Sequence, residues 1–137
     1  MSKYSIDKYG NQEWRKYGKL HRDEKDENGM TLPARIRSNG TKEWCQNSNY
    51  HRTDKDKDGL TLPASIWSNG DKYWFQYGEY HREDKDKDGM TLPAMIEYKI
   101  IDDQPSVIYR YYENGSKTRN DERILCGKFT KSVTKQG

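Results

Sequence analysis

Cysteine, proline and long apolar runs are all scarce in this chain, and each scarcity excludes something. The two cysteines, Cys45 and Cys126, stand far apart and outside any C-x-x-C pattern. They read as thiols of a reducing compartment, not as a disulfide framework. No stretch approaches the ~20 consecutive apolar residues a membrane helix needs. The opening Met-Ser-Lys-Tyr-Ser-Ile-Asp-Lys has no apolar core of a secretion signal. The expectation is therefore an intracellular protein, neither secreted nor membrane-bound. Hydrophobic residues make up only 31% of the chain against 34% charged. Even with glycine added, this stays below the ~45–50% apolar content of ordinary domains. A thick core is excluded.

What the chain does have is aromatic: eleven Tyr, four Trp and two Phe. Each can bury on the order of 150–250 Å², so a thin, aromatic-rich layer fits better than a disordered chain. The net charge of +3 is small beside 25 basic and 22 acidic side chains, and the two signs are intermixed. Composition alone therefore gives no nucleic-acid footprint.

An internal repeat dominates the sequence. His21-Arg22 recurs as His51-Arg52 and His81-Arg82, a strict 30-residue period. A charged loop follows each pair and ends in Gly-Met/Leu-Thr-Leu-Pro-Ala, with the prolines at Pro33, Pro63 and Pro93. Seven positions ahead of each pair stands a tryptophan: Trp14, Trp44 and Trp74. Leu32, Ala34 and Ile36 alternate with Pro33, Arg35 and Arg37, the period-2 pattern of a half-buried strand, and the later units repeat it. Ser38-Asn39-Gly40 and Ser68-Asn69-Gly70 predict tight type I′ turns. Lys42–Gln46 and Lys72–Gln76 then read as unbroken return strands. Tyr17-Gly18, Asn47-Ser48 and Tyr77-Gly78 mark a second break. No segment keeps a helical period.

The expected organisation is one all-β domain over residues 1–137, built of tandem 30-residue β-hairpin repeats forming an elongated twisted sheet or a short solenoid. A half-repeat spans 4–20, repeats span about 21–50, 51–80 and 81–98, a C-terminal β cap spans about 99–127, and 128–137 is a frayed tail. Equivalent side chains should stack in register, with Ala34, Ala64 and Ala94 and Ile36, Ile66 and Ile96 as ladders on one buried face.

The pattern Trp-x-x-x-Gly-x-x-His-Arg, followed by Gly, Pro-Ala and Asn-Gly, resembles uncharacterised W-x-x-x-G-x-x-H-R…G-P-A repeat proteins. These occur in giant DNA viruses, their virophages, some phages and some bacteria, and are MORN-like in character. The resemblance covers roughly residues 9–98 and departs where the tight Asp-Gly-Pro-Ala is opened by a longer charged loop. It implies a hairpin-repeat fold and a viral setting, with no catalytic residues to carry over.

Three chemistries are weighed. Asp54, Asp56 and Asp58, and likewise Asp84, Asp86 and Asp88, match the first half of a D-x-D-x-D-G calcium loop. The bidentate acid due at the twelfth position is absent, with Ser65 and Met95 there instead, so a solvated loop is the preferred reading and a weak calcium module the alternative. His21, His51 and His81 should stand about 10 Å apart, two strand spacings. That is too far for one zinc ion, whose ligand atoms lie within ~4 Å of each other. They are assigned to hydrogen bonds with neighbouring turns or to stacking on repeat aromatics. Phosphate-loop, nucleophile-elbow and zinc-protease motifs are missing, so neither an enzyme nor a cofactor is expected. The tryptophans are assigned to the core. Tyr17, Phe75 and Tyr77, with Arg22, Arg52 and Arg82, are the candidate binding residues of one exposed face. The reading is a protein-interaction or assembly module, homodimeric through its terminal strands, with nucleic-acid binding as the rival.

Overall fold

A computed structural model describes residues 2–126 of the chain. The N-terminal half-unit supplies β1 (Lys3–Ile6), β2 (Gln12–Lys16) and β3 (Lys19–Leu20). The first full unit follows with β4 (Arg35–Ile36), β5 (Lys42–Glu43), β6 (Cys45–Gln46) and β7 (Asn49–Tyr50). The second repeats it as β8 (Ser65–Ile66), β9 (Lys72–Tyr73), β10 (Phe75–Gln76) and β11 (Glu79–Tyr80). The third opens into longer strands, β12 (Met95–Ile101), β13 (Gln104–Glu113) and β14 (Ser116–Leu125). The fold is all-β and antiparallel. Ten strands form one sheet, in the order β1-β2-β4-β5-β8-β9-β12-β13-β14 with β3 beside β2, and it does not close into a barrel. The pairs β6–β7 and β10–β11 form two small side sheets.

The register explains why the repeat carries tryptophan and alanine. Continuing the strand pairings by one residue sets Ala34 between Trp14 and Trp44, Ala64 between Trp44 and Trp74, and Ala94 between Trp74 and Tyr111. Backbone bonds such as Trp44 N–H to Ala64 O (2.7 Å) and Trp74 N–H to Ala94 O (2.8 Å) close the row. Large and small side chains therefore alternate, which lets the indoles lie over the alanines without a void. Ala64 and Ala94 have no exposed surface, and Trp44 and Trp74 are buried.

The structure corrects the sequence reading at three places. The return strand is not continuous: it breaks at Trp44 and at Trp74, although Trp14 lies inside the unbroken β2. Trp44 gives its N–H to the main sheet, while its carbonyl accepts from His51 N in the side hairpin at 3.0 Å. Second, only Ala34, Arg35 and Ile36 of the expected Leu32–Ile36 strand bond into the sheet. Pro33 has no N–H to give, and Leu32 N–H instead donates to Glu24 O at 2.9 Å. Third, the Ser-Asn-Gly turns are not type I′. Only Gly40 and Gly70 have positive φ there (95° and 98°). Asn39 Oδ1 accepts from Thr41 N–H at 2.9 Å, which favours a longer loop ending in a left-handed glycine. The type I′ turns lie at the second break: Tyr17-Gly18 (φ 53°, 79°), Asn47-Ser48 (52°, 68°) and Tyr77-Gly78 (50°, 84°).

The expected single buried face also needs correction. The alanine ladder is buried, but Ile36, Ile66 and Ile96 are half-buried, while Glu43, Ser65 and Met95 on the opposite face are buried. Long side chains of the second face fold over their own sheet.

At the C-terminal end β13 and β14 reproduce the contacts of a further unit. Tyr111 takes the tryptophan position, and the Arg119 guanidinium stacks 4.2 Å from its ring centre. Asn114 N–H donates to His81 Nδ1 (2.9 Å) and Gly115 N–H to Tyr80 O (2.9 Å), as Tyr77 and Gly78 do one unit earlier. β12 runs from the repeat positions Met95-Ile96 on to Ile101, and residue 127 and the 128–137 tail lie outside the described residues.

Candidate functional site

The side chains common to every unit meet at the unit-to-unit junctions. The Arg22, Arg52 and Arg82 guanidiniums lie 3.8, 3.9 and 4.1 Å from the ring centres of Trp14, Trp44 and Trp74 of the preceding units. Each also donates Nη1–H to the carbonyl of its own unit's Pro33, Pro63 or Pro93, at 3.2, 3.1 and 3.0 Å. Arg52 and Arg82 are buried. These arginines, expected as charge on a binding face, clamp the core instead, because a planar cation both stacks on an indole and keeps donors in its own plane.

The acidic loops take part in the same junction. Asp54 accepts from Arg52 Nε (2.8 Å) and from the N–H and hydroxyl of Thr31 in the preceding unit (3.1 and 2.9 Å). Asp84 repeats this with Arg82 and Thr61. Burial would raise both carboxyls, but the hydrogen bonds from arginine and threonine outweigh it and hold them below the ordinary carboxylate range. Asp56 and Asp86 accept two backbone N–H groups of their own turns, from Asp58 and Leu60 and from Asp88 and Met90. Four of the six calcium-loop carboxylates are thus turned towards protein donors. Among the described residues no three His, Cys, Asp or Glu side chains form a set able to hold a metal ion.

Each histidine is an acceptor at Nδ1. His21, His51 and His81 accept the backbone N–H of Asn47, Tyr77 and Asn114 of the next hairpin, at 3.1, 3.0 and 2.9 Å. A donor at Nδ1 puts the neutral ring's proton on Nε2. His21 Nε2 meets Asp23 and His81 Nε2 meets Glu83, each at 2.9 Å. The ring of His51 stacks on Tyr77, centres 4.3 Å apart, and its burial lowers its pKa.

The predicted aromatic surface is divided. Tyr17 (94% exposed) and Tyr77 (78%) project from type I′ turns two units apart, about 20 Å at four strand spacings. Phe75 is not with them. Strand alternation puts it on the main sheet's second face, opposite Trp74, where its ring lies between those of Tyr50 (4.9 Å) and Tyr80 (4.4 Å).

That second face is where the units differ. The register runs Glu13, Arg35, Glu43, Ser65, Tyr73, Met95, Arg110 directly across the sheet. Equivalent positions there hold Arg35, Ser65 and Met95; Arg37, Trp67 and Glu97; Glu13, Glu43 and Tyr73; Arg15, Cys45 and Phe75. The tryptophan face, by contrast, repeats almost unchanged. At the N-terminal side the variable face is a lattice of ion pairs, Arg35 to Glu13 and Glu43 (3.2 and 3.4 Å) and Arg37 to Glu43 (2.9 Å). Towards the C-terminal side it becomes aromatic. Trp67, Tyr73, Phe75, Tyr80 and Tyr50 line a groove of about 210 Å³ floored by Ser65 and Met95. Tyr50 donates its hydroxyl to Glu43 (2.6 Å) and Tyr73 to Glu97 (2.8 Å). Burial and then the neighbouring carboxylate push the Tyr50 phenol up to about 12, and the same causes raise Tyr73. Cys45 on this face is buried, its thiol pushed up to about 12 by burial and by Glu43.

Trp67 and Tyr73 do not follow from the search for repeated residues; the signal that finds them is the opposite one, differences between units taken at every second position from Arg35. Tyr50 and Tyr80 share one repeat position, directly before His-Arg, where the first unit has Leu20. Comparison with known proteins finds no match, whether to a family model, a curated protein or a solved structure.

Proposed function

We propose that the chain is a non-catalytic repeat protein that acts as a protein-interaction or assembly module, and that it pairs with a second copy of itself through its terminal strands. The observation that carries this reading is the division of labour between the two sheet faces. The residues with catalytic or ligand-binding chemistry that recur in every unit, His, Arg and Trp, are occupied in unit-to-unit contacts, as are Asp54 and Asp84. The positions that vary between units gather on the other face, as they do where a repeat scaffold presents a binding surface. The resemblance of the repeat to hairpin repeats of giant viruses and virophages supports a role in viral assembly.

The rival, nucleic-acid binding through basic and aromatic side chains, is weakened by the same geometry. The repeat arginines are stacked on tryptophans, and those of the variable face touch carboxylates. Retention on immobilised single-stranded DNA over a salt series separates the two. A protein-binding scaffold should wash off at low salt with a shallow slope. A steep linear fall of log affinity with log salt, the mark of several released counterions, would replace this reading with the rival.

A further inference from the structure

The groove at Trp67 lies between two differently charged neighbours, and this order restricts what can occupy it. Arg37, Trp67 and Glu97 hold the same place in successive units. They are therefore spaced by two strands, about 10 Å each. The groove, at about 210 Å³, falls below the ~300–1,000 Å³ of small-molecule sites and suits a single large side chain. Its walls are rings, and Trp67 is 49% exposed. On the N-terminal side Arg37 uses Nε and Nη2 on Glu43, and its side chain is 42% exposed. On the far side Glu97 already holds Arg110 at 3.1 Å, Lys99 at 3.8 Å and the Tyr73 hydroxyl.

We infer that this groove binds an extended polypeptide segment bearing one aromatic or large aliphatic anchor and an acidic side chain three residues away. The inference rests on the protein-interaction reading above and names its site and partner chemistry. The apolar anchor lies against Trp67, Tyr73 and Phe75, displacing water from rings that the fold leaves half-covered. A segment in the extended polyproline II conformation advances about 3.1 Å per residue with three residues to the turn, so side chains three apart share one face about 9 Å apart and match the ~10 Å to Arg37. The acidic group then meets the exposed guanidinium, the better partner for a carboxylate because it presents a planar fork. Bases and phosphates fit less well. A strand of phosphates laid across these units would run against Glu43 and Glu97, which border the groove.

The test is selection of a displayed library of random linear peptides against the full-length chain. Enriched peptides should share a large apolar residue with Asp or Glu three positions away. Their affinity should fall at least about tenfold for Trp67→Ala, the loss expected of an aromatic anchor site. It should fall several-fold for Arg37→Ala and be unchanged for Tyr17→Ala, which alters a distant turn. Trp67 is half exposed, so the variant should keep its far-UV spectrum, and Tyr73→Phe provides a second probe that retains the ring. Peptides that bind Trp67→Ala undiminished would overturn the site while leaving a protein-binding protein. No enriched peptide, or oligothymidylate that displaces the selected ones, would overturn the inference itself.

Discussion

Arg52 shows how much of this fold rests on one side chain. Its guanidinium stacks on Trp44, donates to Pro63 O and pairs with Asp54, which in turn accepts two hydrogen bonds from Thr31 of the preceding unit. Replacing it by alanine removes a desolvated cation–π contact worth about 0.5–2 kcal/mol. It also leaves a largely covered carboxylate without its cation, a further cost of about 1–3 kcal/mol. Arg52→Ala should therefore lose roughly 1.5–5 kcal/mol in urea unfolding, by the sum of those two contributions. Arg52→Lys should recover only a minor part, because a lysine ammonium cannot stack as a plane while donating to two partners within it. A lysine variant as stable as the parent would show that charge alone, not the stacked fork, holds the junction.

At the scale of the strand, the alternation of tryptophan and alanine makes a sharper prediction than hydrophobicity does. Ala64 lies between Trp44 and Trp74 with no exposed surface, whereas Ile66, two residues on, is half-buried. Ala64→Leu should overpack the row and cost about 1–3 kcal/mol. Ile66→Val, which removes one methyl from a partly solvated position, should cost under about 1 kcal/mol. Equal losses in the two would mean that the isoleucine ladder, and not the alanine ladder, carries the core. The charged hairpins lead to the next expectation. Asp54, Asp56, Asp84 and Asp86 already accept protein N–H or O–H groups, so a cation would have to break those bonds to be held. Millimolar calcium should leave the melting temperature within a few degrees of its value in chelator. Saturation at a hundred times Kd would instead add about 2.7 kcal/mol. The strands themselves were legible from the period of two, and the units from the period of 30. The breaks at Trp44 and Trp74 were not, because Trp14 holds the same repeat position inside an unbroken strand. The Asn-Gly turns misled for a related reason: the dipeptide suits type I′, but the Asn39 side chain stabilises the competing loop.

Across the whole molecule, what the sequence made plain was the scaffold, since repetition marks the residues that units need for each other. The variable face was hidden because most of its positions change from unit to unit. The ends were partly legible: Tyr111 and Arg119 stand in for the next tryptophan and arginine without sharing the repeat's spacing. The proposed self-association rests on those ends. β1 is a four-residue edge strand, exposed throughout, whereas β14 is ten residues long and lies at the opposite edge with nearly all its residues exposed. An open edge invites another strand, and charges along it restrict which one. Two copies of β14 paired antiparallel about a two-fold axis between Asn120 and Asp121 would set Arg119 of each copy opposite Glu122 of the partner subunit. The pairing is charge-complementary and, being two-fold, closes without growing into a fibre. Light scattering at several concentrations should therefore give a mass twice the 16.3 kDa of one chain. Asn120→Asp brings a second carboxylate against Asp121 at the axis, where like charges directly opposite are unfavourable. Because Asn120 is exposed, the substitution should leave the fold intact and shift the equilibrium towards monomer. A constant monomer mass in the parent chain would rule out the dimer. A dimer indifferent to Asn120→Asp would move its interface away from β14, to β1 or to the variable face.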